Sequence, residues 1–324
     1  MSSDPSSIRV EHELFLRSFF ASQPPQRVMR QFAAVLKDAY YTDGEVLFRG
    51  GDTAMNMYFI VDGLVSLSAE GKEPWLYGPS SVVGILDANL NRPYARTATA
   101  LEETHALVLD TSEYYDIMED NFDFARTVLL DVFQMVHKIA LRLPPNEVFP
   151  RQRIRRIERP WLSVRRLNEV QKLMVLRASD FFQNAPIQPL VVLANSSVEK
   201  RLSRDRILTK KGDPLTHLWV VGEGRLRVEN DDPRIDGLFE AGSLVLGSAA
   251  FSTGTTPYTV TADIPSLVIG VPFELMWDMM EDHFRLARCA FAMVAHENER
   301  TRARMAELKG STRDLARQVE AEHH

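Results

Sequence analysis

The feature that most constrains this chain is that it repeats itself. Gly51-Asp52, followed by the run Met57 to Leu67, aligns without gaps with Gly212-Asp213 followed by Leu218 to Val228, at an offset of 161 residues. Met118-Glu119-Asp120-Asn121-Phe122 returns as Met280-Glu281-Asp282-His283-Phe284 at an offset of 162. A repeat binds the fold more tightly than any local propensity, because both copies must be the same structural unit. The 324 residues are therefore two copies of one domain, in line with about 100–200 residues per domain.

Each copy reads as two short helices, a set of strands, then a helix. Leu14 to Leu36 has apolar residues at helical spacing, interrupted by Pro24-Pro25, and Val170 to Leu193 does the same around Pro186 and Pro189. The middle of each copy holds short Val/Ile/Leu/Phe/Tyr-rich runs separated by turn residues such as Asp62-Gly63, Glu70-Gly71 and Asp231-Asp232-Pro233. This pattern predicts antiparallel strands. A helix is expected over 111–143 and a longer one over 273–309. The boundaries this implies are 1–145 for the first domain, 146–172 for a basic linker helix, 173–310 for the second domain and 311–324 for a flexible tail.

Charge and cysteine usage narrow the function. With 38 Lys and Arg against 44 Asp and Glu, net charge −6, the chain is not built to coat nucleic acid by bulk electrostatics. One cysteine, Cys289, rules out an intrachain disulfide and four-cysteine zinc sites. The start lacks the features of a secretory signal and no window is apolar enough to span a bilayer, so the expectation is a cytoplasmic protein that does not enter a membrane. The terminal His323-His324 pair is set aside as a tag-like remnant. Between Arg151 and Arg177 nine positive residues face only Glu158 and Glu169. That run is either a solvated linker pairing with acidic faces of its own domains or a surface for an acidic partner or polyanion.

The order Gly44-Glu-Val-Leu-Phe-Arg-Gly-Gly-Asp52, Met57 to Val65, Gly84, then Arg96-Thr-Ala-Thr-Ala100 resembles the cyclic nucleotide-binding domain family, as found in protein kinase regulatory subunits. The likeness runs from about Leu14 to Leu141 and more weakly from about Leu173 to Glu299. It implies an α+β, mainly β fold: two tandem jelly-roll, or double-stranded β-helix, barrels, each flanked by N- and C-terminal helices. It also implies a phosphate-binding cassette in which a helix N-terminus and backbone amides hold the cyclic phosphate, an Arg supplies the countercharge and a Glu accepts the ribose hydroxyl. In the first copy the ligand-binding candidates are Gly84, Ile85, Leu86, Asp87, Arg96 and Thr97, with Ile85 where the family has its Glu. Asp87 and Asn89 are replacement acceptors, although a helical turn points them elsewhere. Arg96 is either the phosphate arginine or a barrel-rim residue paired with an acid such as Asp87.

The degenerate counterpart in the second copy is Gly247, Ser248, Tyr258 and Thr259, with Ser248 matched to the Glu and Tyr258 to the Arg. A phosphate there would lack a charge-assisted bond of about 1.5–3 kcal/mol. That barrel is expected not to bind.

Other chemistries find little support. His12, His105, His137, His217, His283 and His296 stand apart from one another, and no His-x-His pair, Walker loop, nucleophile elbow or His-Glu-x-x-His occurs. No catalytic residue, metal or cofactor is expected, save cyclic AMP or cyclic GMP as a ligand of the first domain. After the last helix too little chain remains for a helix-turn-helix. The expected function is a non-enzymatic regulatory or scaffold protein, a pair of pseudo-receptors acting through a protein partner with little or no nucleotide binding. The alternative is a cyclic nucleotide sensor working through Arg96, and a remoter one is a DNA-associated regulator using the basic linker. The apolar face of 273–309 is expected either to pack on its own barrel or to form a homodimer seam.

Overall fold

The computed structural model describes residues 5–20, 24–144, 147–149, 161–229, 237–252 and 254–322, with side chains from Val10 to Leu308. The chain divides into two units, Met1–Asp131 and Val132–His324. The first opens with α1 (Pro5–Phe19) and α2 (Gln26–Val35). Pro25 sits just before α2, where its missing N–H is no loss, and Val28, Met29, Phe32 and Ala33 make the buried face.

The first unit's strands are β1 (Lys37–Tyr41), β2 (Val46–Phe48), β3 (Asn56–Asp62), β4 (Val65–Ala69), β5 (Lys72–Tyr77), β6 (Ser81–Val83), β7 (Thr97–Ala100) and β8 (Thr104–Asp110), with helix α3 (Ile85–Asn89) between β6 and β7. They form two four-stranded sheets, β1-β8-β3-β6 and β2-β7-β4-β5, with every pairing antiparallel. Between them Phe48, Tyr58, Ile60, Val65, Leu67, Tyr77, Tyr94 and Ala98 form one buried cluster.

Then come α4 (Thr111–Asp120) and α5 (Phe122–Ala140), whose last nine residues belong to the second unit. The second unit continues with α6 (Glu169–Arg177), α7 (Ile187–Ser196), β9 (Val198–Leu202), β10 (Ile207–Thr209), β11 (His217–Glu223), β12 (Arg225–Glu229), β13 (Leu238–Glu240), β14 (Thr259–Ala262), β15 (Ser266–Pro272), α8 (Phe273–Asp282) and α9 (Phe284–Glu322). Its sheets are β11-β15-β9 and β10-β14-β12-β13. The repeat holds down to single bonds: Gly51 N–H donates to Tyr94 O and Tyr94 N–H to Asp52 O, while Gly212 N–H donates to Thr256 O and Thr256 N–H to Asp213 O. The two tandem, helix-flanked barrels are those the repeat called for.

Several boundaries differ from expectation. Each single trailing helix is broken, at Asn121 (φ −133°, ψ 59°) and His283 (φ −136°, ψ 77°). Asn121 stabilises its break by donating to Ile117 O and Gln31 Oε1 at 2.8 and 2.9 Å. The linker expected as a helix over 146–172 lies partly outside the described residues, Arg151 to Pro160 included. Its described part is a 3-10 turn at Trp161–Ser163 and bends at 164–166 leading to Asn168, which caps α6 in a reciprocal pair with Gln171. The helix α9 continues to Glu322 through the expected tail. Gly310 there costs only about 1 kcal/mol relative to Ala, and no proline follows it. Of the apolar face over 275–295, Met276, Met280, Phe284, Leu286, Ala287, Phe291, Val294 and Ala295 are buried. Among the described residues no helix is long and apolar enough to cross a membrane.

Candidate ligand-binding cassettes

In the first barrel the chain leaves β6 through Gly84, at φ +89°, and enters α3. A Cβ at Gly84 would stand 2.7 Å from Asn56 O, so this residue must be glycine. Ile85 and Leu86 are half-buried. The carboxylate of Asp87 is buried and accepts from Arg92 Nε at 2.7 Å. Arg96, just before β7, is also buried; its Nη1 donates to Leu67 O at 3.2 Å and Glu73 O at 3.0 Å, and its guanidinium lies 4.0 Å over the Trp75 ring. Thr97 Oγ1 accepts from Gly50 N–H at 3.0 Å.

The expected residues thus fall on one turn and one strand start. Asp87 is taken by Arg92, five residues on, and the Arg96 guanidinium is seated against the β4–β5 hairpin. Asn89 accepts from Tyr115 O–H at 2.8 Å, which ties it to α4. Tyr94 had no assigned role. Its ring stacks on Phe48 at 3.8 Å, and its hydroxyl donates to Asn56 O and accepts from Asn56 N–H at 2.7 and 3.1 Å. Burial pushes its phenol up to about 12.

The second cassette opens with Leu246 (φ +68°) and Gly247 (φ +51°), then a 3-10 turn, Gly247–Phe251. The sequence match sets Ser248 opposite Ile85; counted from the left-handed residues Gly84 and Leu246 that open the turns, Gly247 stands there instead. Neither residue is a carboxylate. One arrives from far along the chain: Glu297 Oε1, on α9, accepts from Ser248 N–H at 3.2 Å and comes so near Gly247 that a Cβ there would sit 2.6 Å from it. Burial pushes the Glu297 carboxyl up, against the pull of the Ser248 bond and the charge of Arg300.

Tyr258, at the arginine position, is buried and shares a 3.0 Å hydrogen bond with His137 Nε2. Thr259 Oγ1 accepts from Lys211 N–H at 3.1 Å, as Thr97 does from Gly50. Phe149 meets Tyr258 edge-on at 5.5 Å, and Phe133 stacks on Phe251 at 4.4 Å and 10°. The space left, lined by Phe149, Phe239, Leu246, Ser248, Glu297 and Arg300 among others, is about 30 Å³. That holds a water molecule, whereas small-ligand sites run to about 300–1,000 Å³.

Two stretches of the chain, 39–121 and 199–283, match the family model of the cyclic nucleotide-binding domain. The chain belongs to the cyclic nucleotide-binding domain family. The Arabidopsis thaliana potassium channel GORK is 26% identical over 143 residues, which is 40% of this chain and 17% of the channel, so the chain spans less than a fifth of that relative. Similar solved structures include the regulatory domain of Toxoplasma gondii PKA in co-crystal with cAMP (14% identity, covering 86% of this chain and 94% of that one, TM-score 0.34). Another is the regulatory subunit of a cAMP-independent protein kinase A from Trypanosoma brucei (14% identity, 95% and 94% covered, TM-score 0.33).

Within this tandem pair of cyclic nucleotide-binding domains, His137 closes the second cassette from the end of α5, and burial lowers its pKa below the usual 6.5. The neutral ring is the docked form. Its contribution is therefore present above about pH 6.5 and lost as pH falls from there through the lowered value. The expected result is a Tm for the second unit that drops between pH 7 and pH 5, and a flatter profile in His137→Gln, read by circular dichroism. An unchanged slope in the variant would reassign the acid sensitivity to other groups. Among the described residues no three His, Cys, Asp or Glu side chains are grouped to hold a metal.

Proposed function

We propose that this chain is a non-enzymatic regulatory protein whose two barrels act through protein contacts, and whose second cassette has exchanged a nucleotide for its own side chains. The observation that carries the reading is the Glu297 carboxylate on the Ser248 amide. In the family this turn offers its amides to a cyclic phosphate. Here the Ser248 amide is already taken by the Glu297 side chain, which a phosphate would have to displace. Entry would also require opening a 30 Å³ space about tenfold and breaking the His137–Tyr258 bond. In the first barrel Ile85 offers no acceptor to a ribose hydroxyl. The Arg96 guanidinium would have to give up two carbonyls and the Trp75 face to meet a phosphate.

A second reading, a sensor confined to the first barrel, is favoured by Arg96 standing at the family's phosphate position. Calorimetric titration of cyclic AMP and cyclic GMP into the full chain separates the two. The expected result is no saturable heat up to about 1 mM, which is weaker than about −4 kcal/mol. Micromolar heat that vanishes in Arg96→Ala would establish the sensor instead. Heat that survives that substitution would put a ligand in the second barrel and overturn the proposal as surely.

A further inference from the structure

The strand β9 ends its sheet. It pairs with β15 from Ser266↔Leu202 to Gly270↔Val198, and no strand among the described residues pairs with its other side. An edge of this kind presents a row of backbone N–H and C=O groups to any extended chain that can approach it. Beside it lies an open groove of about 830 Å³ bordered by Val164, Arg165, Arg166, Lys172, Ser197, Val198, Glu199 and Arg201, four cations to one carboxylate.

The groove is held in shape by its own polar groups. Glu199 accepts from Leu167 N–H at 2.8 Å and from Arg201 Nε at 2.7 Å, and Arg201 also donates to Leu162 O and Trp161 O. Lys172 Nζ donates to Ser197 O at 2.7 Å. The one carboxylate is thus consumed by Arg201. Lys172 is anchored on a neutral oxygen, and Arg165 and Arg166 are exposed with no ion pair among the described residues.

We propose that this edge docks an extended acidic segment of a protein partner, which adds to β9 as a further strand while its carboxylates meet Arg165, Arg166 and Lys172. The proposal rests on the reading that the chain works through protein contacts and gives that contact a place and a chemistry. Charge selects the sign of the occupant. The chain's own stretch from Arg151 to Pro160, with five arginines to one glutamate, has the wrong sign of charge to be that occupant. The edge selects the class: only another polypeptide backbone can pair with successive N–H and C=O groups, a mode of recognition in which main-chain bonds give affinity and side-chain contacts give specificity. Val164 and Val198 add apolar walls that a phosphate backbone would not use. Five residues of β9 at about 3.3 Å each are matched by a segment of similar length with acids at alternate positions.

The test is fluorescence anisotropy of the full chain with a labelled, capped Glu-Val-Glu-Val-Glu-Val-Glu peptide. Its lysine counterpart and a version N-methylated at alternate amides are run beside it, and the Arg165→Glu/Arg166→Glu double variant is compared with the parent chain. The acidic peptide is expected to bind in the micromolar range at low salt, at least about tenfold more weakly to the double variant, and the N-methylated peptide similarly weakly, since it cannot donate to a strand edge. The lysine peptide should not bind. No binding of the acidic peptide, equal binding by the double variant, or equal binding of the N-methylated peptide would overturn the proposal. Tighter binding of duplex DNA or of phosphatidylserine vesicles than of the peptide would do so too. None of these outcomes bears on the nucleotide titration, so the cassette reading stands or falls separately. Because both arginines are exposed, the double variant is expected to fold; unchanged circular dichroism and Tm verify it.

Discussion

Phe251→Ala is expected to destabilise the second unit by about 3–5 kcal/mol, the range for removing a fully buried aromatic ring. Phe251 is 1% exposed and closes the 3-10 turn of the second cassette. Its ring meets Phe133 at 4.4 Å, Phe273 at 5.8 Å, Trp277 at 6.0 Å and Phe181 at 6.3 Å. Those neighbours lie on α5, on α8 and in the segment after α6, each fixed by its own packing, so the walls cannot all move in to fill the space. Residual cavity volume is what drives such a loss to the upper part of its range. Phe251→Leu keeps most of the volume and should cost under about 1.5 kcal/mol. Urea unfolding of the full chain followed by tryptophan fluorescence reads both variants, because Trp277 borders the ring. If the alanine variant lost less than about 1 kcal/mol, Phe251 would not be the point where cassette and helices are joined.

The architecture was legible because a repeat is a long-range signal written locally. Asp62-Gly63 and Glu223-Gly224 mark the same turn, and the matched strands around them share three pairings, β3–β8 with β11–β15, β4–β5 with β12–β13 and β4–β7 with β12–β14. The helix breaks at Asn121 and His283 were not legible, although they recur at equivalent places. Apolar spacing runs on through both, with Met118 and Phe122 on one side of the repeat and Met280 and Phe284 on the other. A break made by one residue's φ and ψ leaves no gap in the pattern.

What surrounds the two candidate cassettes was not legible in the sequence. Ile85 and Tyr258 announce that family residues are missing, but the sequence does not say what takes their place. Arg96 was expected either at a ligand or beside Asp87. Its Nη1 donates to carbonyls of the β4–β5 hairpin, contacts that have no residue type to recognise because any backbone oxygen serves. His137 reaches Tyr258 across 121 positions, and Glu297 reaches Ser248 across 49. Isolated in sequence, His137 looked like any solitary histidine. Only the docking of helices onto the turn makes it and Glu297 part of the cassette.

Gly63→Ala and Gly224→Ala are expected to cost about 2–5 kcal/mol each, and by the same mechanism. Both residues are left-handed, at φ +97° and +91°, which alone costs an alanine about 1–2 kcal/mol. Both also lie against the chain just before the last strand of their barrel. A Cβ at Gly63 would meet Thr104 Oγ1 and stand 2.7 Å from Glu103 O and Thr104 Cα. At Gly224 it would meet Ser266 Oγ and Pro265 O and stand 2.6 Å from Ser266 Cα. The obstacle is largely backbone, and at Gly224 it includes a buried hydroxyl that accepts from Arg225 N–H at 2.9 Å and donates to Ile264 O at 2.7 Å. Relief therefore means moving the strand that follows, β8 in one barrel and β15 in the other, with an overpacking cost of about 1–3 kcal/mol on top of the dihedral strain. Gly44 and Gly212 supply the controls, being left-handed at φ +80° and +88° with nothing within 4 Å of a Cβ. Gly44→Ala and Gly212→Ala should thus show the dihedral cost alone. Denaturant unfolding of the four variants isolates the steric part as the difference within each barrel. Equal losses within a pair would mean that the turn, and not its close approach to the returning strand, is what fixes glycine at this step of both copies.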